Sequence, residues 1–201
     1  LTVSINLLGD GKLNGFGRIS YQDYARNRRL DDYQKKNLKT ILSTTTDITL
    51  KVDSMAVSNE NNSELPLDVY VNYTGAAQKS GNYLLLPYDL FLGFDKNPFT
   101  AEKRQTNINF GFLQDFQING YINLNDGYAL ESMPKSITMR LGDNSIIFKR
   151  IFQKTADKQL AFQLSIKYLR PEYSTIEYPD IKAYYQKMYE LLAEKIVLKK
   201  M

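Results

Sequence analysis

The chain has 201 residues, enough for one large domain or two small ones, with 43% hydrophobic residues and 26 basic against 22 acidic side chains, a net charge of +4. It contains no histidine and no cysteine, which excludes serine–histidine and cysteine–histidine catalysis, Cys/His zinc sites and disulfides. Only carboxylates, Lys, Tyr and Arg remain as reacting groups, so the chain is expected not to be an enzyme and to carry no cofactor or metal.

Acidic and basic residues are interspersed throughout, which argues against a nucleic-acid partner, because a phosphate footprint needs clustered cations. The densest basic run, Arg26-Asn27-Arg28-Arg29, reads as a solvated strand end leading into a helix. No apolar run reaches the ~18 residues of a membrane span, so no membrane insertion is expected. The opening Leu1-Thr2-Val3-Ser4-Ile5 already alternates like a strand and has neither an initiator Met nor a signal peptide. That start is expected of a mature product or, preferably, of a piece excised from a longer protein.

In chain order, the first predicted unit is a hairpin: Leu1 to Leu8 alternates, Gly9-Asp10-Gly11 turns, and Leu13 to Tyr24 returns. Gly15 and Gly17 inside the return strand imply a bulge or a close backbone approach, and no Gly-Lys-Ser/Thr follows to make a phosphate loop. A helix is predicted near 30–42, with Leu30, Tyr33, Leu38, Ile41 and Leu42 on one face. Its other face carries Asp31/Lys35 and Asp32/Lys36 as i,i+4 pairs, with the acids in the first turn and Lys39 near the end. Ser43-Thr44-Thr45-Thr46 then breaks the helix.

Ile48, Leu50 and Val52 alternate, as do Leu67, Val69, Val71 and Tyr73 after Pro66, and Tyr83 to Leu86 is a short apolar run stopped by Pro87. The segment 90–102, with Phe91, Phe94 and Phe99, reads as an irregular aromatic loop that either plugs an end of the core or forms a binding surface. Ile108 to Asn123 reads as one long strand, and Ser145 to Lys154 pairs with Gln159 to Leu169 as a hairpin. A C-terminal helix is predicted near 179–193, opened by Pro179 and Asp180, before Ile196-Val197-Leu198 closes the chain. Its stripe of Ile181, Tyr184, Tyr185, Met188, Leu191 and Leu192 either completes the domain's own core or presents a docking face made of Ile181, Tyr185, Met188 and Leu192. The fold class that results is mainly β: a single antiparallel β-sandwich domain over 1–201, with one inserted helix and a C-terminal helix.

Several stretches in this order carry a family resemblance. They are Gly9-Asp10-Gly11-Lys12-Leu13, Leu65-Pro66-Leu67, Leu84-Leu85-Leu86-Pro87, Asn97-Pro98-Phe99, Arg104, Asp126-Gly127-Tyr128, Leu130 to Lys135 and Ile196 to Lys200. Together they resemble the C-terminal β-rich domain, of unknown function, in bacterial envelope proteins with a transglutaminase-like, papain-like core. The resemblance implies a periplasmic or envelope location and a noncatalytic companion that packs beside that core in the parent chain. No residue of the core's Cys, His and Asp triad has a counterpart here. A self-standing module binding an envelope glycan or protein is the alternative, and a carboxylate-only hydrolase, with two acids roughly 5–10 Å apart in a cleft, is a third class.

Overall fold

In the computed structural model, which describes residues 1–43, 49–94 and 96–201, the period-two segments form strands, and strand outweighs helix by 47% to 18%. The order is β1 (Thr2–Leu7), β2 (Lys12–Tyr21), α1 (Asp23–Gln34), α2 (Leu38–Ser43), β3 (Thr49–Ser58), β4 (Leu67–Ala76), β5 (Gln78–Ser80) and β6 (Tyr83–Leu86). There follow β7 (Ile108–Asn109), β8 (Gln114–Asn123), β9 (Tyr128–Ser132), β10 (Ile137–Arg140), β11 (Ile146–Ala156), β12 (Gln159–Tyr168), β13 (Glu172–Tyr173), α3 (Tyr178–Ala193) and β14 (Ile196–Lys200). Thr44 to Thr46 and Ile48, named above as a helix break and a strand position, lie outside the described residues.

Among the described residues the strands form an eight-stranded sheet in the order β10-β11-β12-β8-β1-β2-β4-β3 and a four-stranded sheet in the order β5-β6-β14-β9. A two-stranded ribbon joins β13 to β7. The smaller sheet and α3 pack on one face of the large sheet, as in a β-sandwich. Tyr128 of β9 donates to the Gly9 carbonyl, and Tyr184 and Tyr185 of α3 reach Met139 of β10 and Tyr168 of β12. The apolar cluster between them runs from Val3 to Leu198.

The Asp-Gly turn forms as expected, with Gly11 at φ 81 and the Leu8 amide donating to the Lys12 carbonyl at 2.8 Å. Register along β2 is unbroken, so its glycines mark close approach and not a bulge. A Cβ on Gly15 would strike the Ser4 carbonyl and the Tyr73 ring, whose hydroxyl crosses Gly15 to donate to that same carbonyl at 2.9 Å. Gly120 of β8 plays the corresponding part on the other side of β1, where a Cβ would land in the Phe162 ring and 2.9 Å from Val3. These bare positions flank β1, which pairs antiparallel with β2 and parallel with β8, the one parallel junction among the described strands.

The helix predicted near 30–42 is in fact two helices, and the return strand ends at Tyr21 because α1 begins at Asp23. The segment Asp23 to Arg29 is too polar to show an apolar stripe, so periodicity missed it. The chain breaks between the helices, where Lys36 sits at φ 60 and the Asn37 amide donates to the Asp32 carbonyl. Asp31 and Asp32 therefore lie in the last turn of α1, not a first turn; Asp31 pairs with Lys35 at 2.7 Å, but Asp32 pairs with Arg29 and not Lys36. Leu38 and Leu42 are buried, whereas Ile41 is exposed. Arg26 is no solvated strand end either: it is buried, and its guanidinium donates to the carbonyls of Asn59, Glu60, Asn62 and Leu65, fastening the β3–β4 loop to α1.

The long strand expected over Ile108 to Asn123 divides into β7 and β8 because Gly111 takes φ 82, which sends the chain from the ribbon into the large sheet. The expected hairpin of β11 and β12 forms, with Phe148 opposite Ile166 and Phe152 opposite Phe162.

The close approach at β8 gives a direct test. Gly120→Ala should lose about 1–3 kcal/mol of stability by overpacking against Phe162. In urea unfolding, Gly120→Ala combined with Phe162→Leu should cost less than the sum of the two single changes, because the smaller side chain frees the space. Additive losses would place the strain elsewhere.

Candidate functional site

The C-terminal helix forms where Pro179 and Asp180 begin its first turn. Its stripe faces inward: Ile181, Tyr185, Met188 and Leu192 are only 0%, 2%, 0% and 3% exposed. Those four side chains belong to the chain's own core and present no docking face. Tyr185 shares a 2.7 Å hydrogen bond with Tyr168 and meets the Phe99 ring edge-on at 4.5 Å between centroids. Burial pushes both phenols well above the ordinary tyrosine range, so they stay protonated. The aromatic loop 90–102 turns inward too. Leu90 and Phe99 are buried, Phe91 meets Tyr73 edge-on, and Phe94 does the same to Phe116, so the loop plugs the core.

Polar chemistry collects at the two ends of α3. At its C-terminus lies Arg150, projected from the inward face of β11 and 1% exposed. One terminal nitrogen donates to the Leu191 carbonyl at 2.6 Å and to the Tyr88 hydroxyl at 2.9 Å; the other reaches the Lys135 carbonyl at 3.0 Å and the Glu194 carboxylate at 2.7 Å. The Tyr88 hydroxyl in turn donates to Leu191 at 3.0 Å. The guanidinium thus sits against the negative end of the helix dipole and adds a short, charged donor to a last-turn carbonyl that otherwise accepts from the Glu194 amide at 3.4 Å and the Tyr88 hydroxyl. Burial pushes the Tyr88 phenol up to about 12, although the hydrogen bond from Arg150 pulls the other way.

At the opposite end Glu177 flanks the first turn of α3, binds Arg170, and accepts from the amide and hydroxyl of Ser174 at 2.8 and 2.9 Å. The Arg170 hydrogen bond, with those from Ser174, holds its carboxyl down at about 2. Arg170 also stacks over Tyr173 at 4.1 Å and approaches Asp143 at 3.4 Å. A relay runs beside it, in which Tyr173 donates to Ser145 at 2.8 Å and Ser145 donates to Asp143 at 2.5 Å.

These groups form a dense polar cluster beside the start of α3, and its hydrogen bonds and charges hold both carboxylates low. Burial works to raise the Asp143 carboxyl, but the Ser145 hydrogen bonds and the Arg170 charge leave it below the usual range. Asp143 and Glu177 share one guanidinium, and both are held ionised, the reverse of the raised carboxyl that a two-carboxylate hydrolase uses as its acid. Among the described residues no group of three or more Asp and Glu could hold a metal, and no helix is long and apolar enough to cross a membrane.

Sequence reading missed Arg150, Arg170 and Glu177. The available signal was the inward alternation Ile146, Phe148, Arg150, Phe152, which places a cation where a core side chain belongs.

Two measurements test these end locks. Arg150→Met should cost about 3–5 kcal/mol in chemical denaturation, because the Lys135 carbonyl loses its partner and the helix end its cation. Glu194→Gln, at a half-exposed carboxylate, should cost about 1 kcal/mol or less. For Glu177 the folded value of about 2 lies below the ordinary 4.5, so its stabilisation is complete above the higher figure and disappears as pH falls toward the lower. Glu177→Gln should therefore lower the melting temperature at about pH 6, with the gap to the wild type shrinking steadily as pH falls from 4.5 through about 2; a gap that does not shrink in acid would contradict the ion-pair account.

Residues 82–198, more than half of the chain, match the family described as a domain of unknown function with a solved structure (DUF3858). No curated protein and no solved structure matches the chain.

Proposed function

From the premise that this chain belongs to the DUF3858 family, we propose that it is a noncatalytic accessory domain, packed beside a transglutaminase-like core in a bacterial envelope protein and holding that core or restricting its substrate. The observation that carries the noncatalytic part is the way the charged and phenolic groups are used. Arg150 and Glu194 lock one end of α3, Arg170 and Glu177 lock the other, and the buried phenols are engaged with one another, with carbonyls or, for Tyr173, with the Ser145 hydroxyl. A nucleophile needs an adjacent base of matched pKa, and Ser145 has only a depressed carboxylate beside it.

The core as partner, and the periplasmic or envelope location, rest on the ordered motifs from Gly9-Asp10-Gly11 to Ile196-Val197-Leu198. Those stretches are turns and strand ends in the fold: the first joins β1 to β2, and the last lies in β14 between β6 and β9. They give the scaffold its shape.

Assay of the purified chain on glutamine-donor and peptide substrates should show no turnover above a heat-killed control. In the longer gene product, removing residues 1–201 should lower the activity or solubility of a Cys/His/Asp-bearing core. Turnover by the isolated chain would refute the noncatalytic role, and a gene product without such a core would refute the partner.

A further inference from the structure

The face of the large sheet opposite α3 and the small sheet is solvent-open and carries a band of amides. Four of them form a ladder across four adjacent strands. Gln159 of β12 donates to Asn123 of β8 at 2.9 Å, Asn123 to Asn6 of β1 at 2.8 Å, and Asn6 to Asn14 of β2 at 3.0 Å. A second rung lies four residues away along β8, where Gln163 donates to Asn119 at 3.1 Å. Between the rungs, strand register places Tyr121, Ser4 and Phe16 side by side on β8, β1 and β2. The two rings are exposed, Tyr121 by 49% and Phe16 by 42%.

We propose that this face is a binding platform for an uncharged oligosaccharide, with Tyr121 and Phe16 stacking on sugar rings and the flanking amides bonding to hydroxyls. A primary amide offers two N–H donors and two acceptor lone pairs, and each internal ladder bond uses one donor and one lone pair. Asn123 and Asn6 are thereby fixed in orientation with a further donor and acceptor each for a ligand. That preorganisation lowers the ordering cost of binding. The hydroxyls of a sugar are both donors and acceptors, so a row of oriented amides matches them.

Charge selects among occupants. On the same face Arg18 and Lys167 are paired with Asp68 and Asp115 at 2.9 Å each, and Lys149 stands on β11, two strands away from the one that carries Tyr121, so the cations do not gather around the rings as a phosphate or sulfate footprint requires. A protein interface is centred on a contiguous apolar patch; here the Tyr70 ring lies beside Phe16 at 6.3 Å between centroids, while Ser4 separates Phe16 from Tyr121 and the two amide rungs flank them. Tyr121 and Phe16 are two strand spacings apart, roughly 10 Å, so a ligand touching both rings must be longer than one sugar unit. The role does not depend on any core packed beside the domain.

Isothermal titration of the whole chain with cellohexaose, maltohexaose and N-acetylchitohexaose tests the proposal. At least one should bind saturably, with little change between low and high salt. Tyr121→Thr and Phe16→Thr, which keep strand-forming residues at exposed positions, should each weaken it about tenfold without lowering the melting temperature. Tyr83→Thr, on β6 of the small sheet, should leave it unchanged. The proposal is overturned if none of the three binds, if binding ignores Tyr121→Thr and Phe16→Thr, or if only heparin binds and is released by salt.

Discussion

A buried guanidinium sets the arrangement of the C-terminal half. Arg150 points from β11 into the core, opposite Leu164 in register, at a position where its neighbours on the same face are Phe148 and Phe152. Bringing a cation out of water costs several kcal/mol, and only a site that supplies compensating acceptors in good geometry makes it tolerable. Here the compensation comes from separate parts of the chain: the carbonyl of Leu191 at the end of α3, that of Lys135 before β10, the hydroxyl of Tyr88 after β6, and the carboxylate of Glu194. Together they satisfy the charge, the buried carbonyls and hydroxyl from within and the half-exposed carboxylate from the surface. The requirement fixes where α3 ends, and since β14 begins at Ile196, it also fixes where that strand enters between β6 and β9. Helix, loop and small sheet are positioned together.

The other constraint is steric and belongs to β1. This strand lies between β8 and β2, joining strands of the family-matched region to those that precede it. It has close neighbours on both sides: the Phe162 ring lies over Gly120 on one, and Tyr73 crosses Gly15 on the other. Either glycine replaced by a larger residue would force a ring out of the core. On the opposite face the Asn123 to Asn6 bond spans the same parallel junction. The junction is thus pinned by packing below and by amides above.

The legible parts of this fold in the sequence were those with a repeating apolar signal. β1, β4, β11 and β12 alternate, the stripe of α3 repeats at helical spacing, and the Asp-Gly turn is local chemistry. What lacked such a signal was misread. The first half of α1, Asp23 to Arg29, has no apolar stripe and gains its place from Arg26, whose partners are backbone carbonyls that no side-chain pattern reveals. The break at Gly111 needed a positive φ rather than a change of hydropathy, so Phe110 and Phe112 looked continuous with β8. The polar locks on α3 escaped for a related reason: Arg170 and Glu177 are seven positions apart in a loop, and Arg150 and Glu194 meet only after the sheet and helix have packed.

The open face illustrates the limit of pattern reading most clearly. In sequence, Asn6, Asn14, Asn123 and Gln159 are outward positions of alternating strands, which ordinarily means solvation and nothing more. Their alignment depends on three pairings, one of them parallel and joining residues far apart in the chain. Because side chains change face with every residue, a one-step slip at β1 would turn Asn6 toward the core and Ile5 toward water. Core packing therefore enforces the ladder: the apolar residues that bury Val3 and Ile5 against the neighbouring strands also hold Ser4 and Asn6 outward in line with Tyr121 and Asn123. A packed interior and an ordered ladder of amides on the exterior are consequences of the same register.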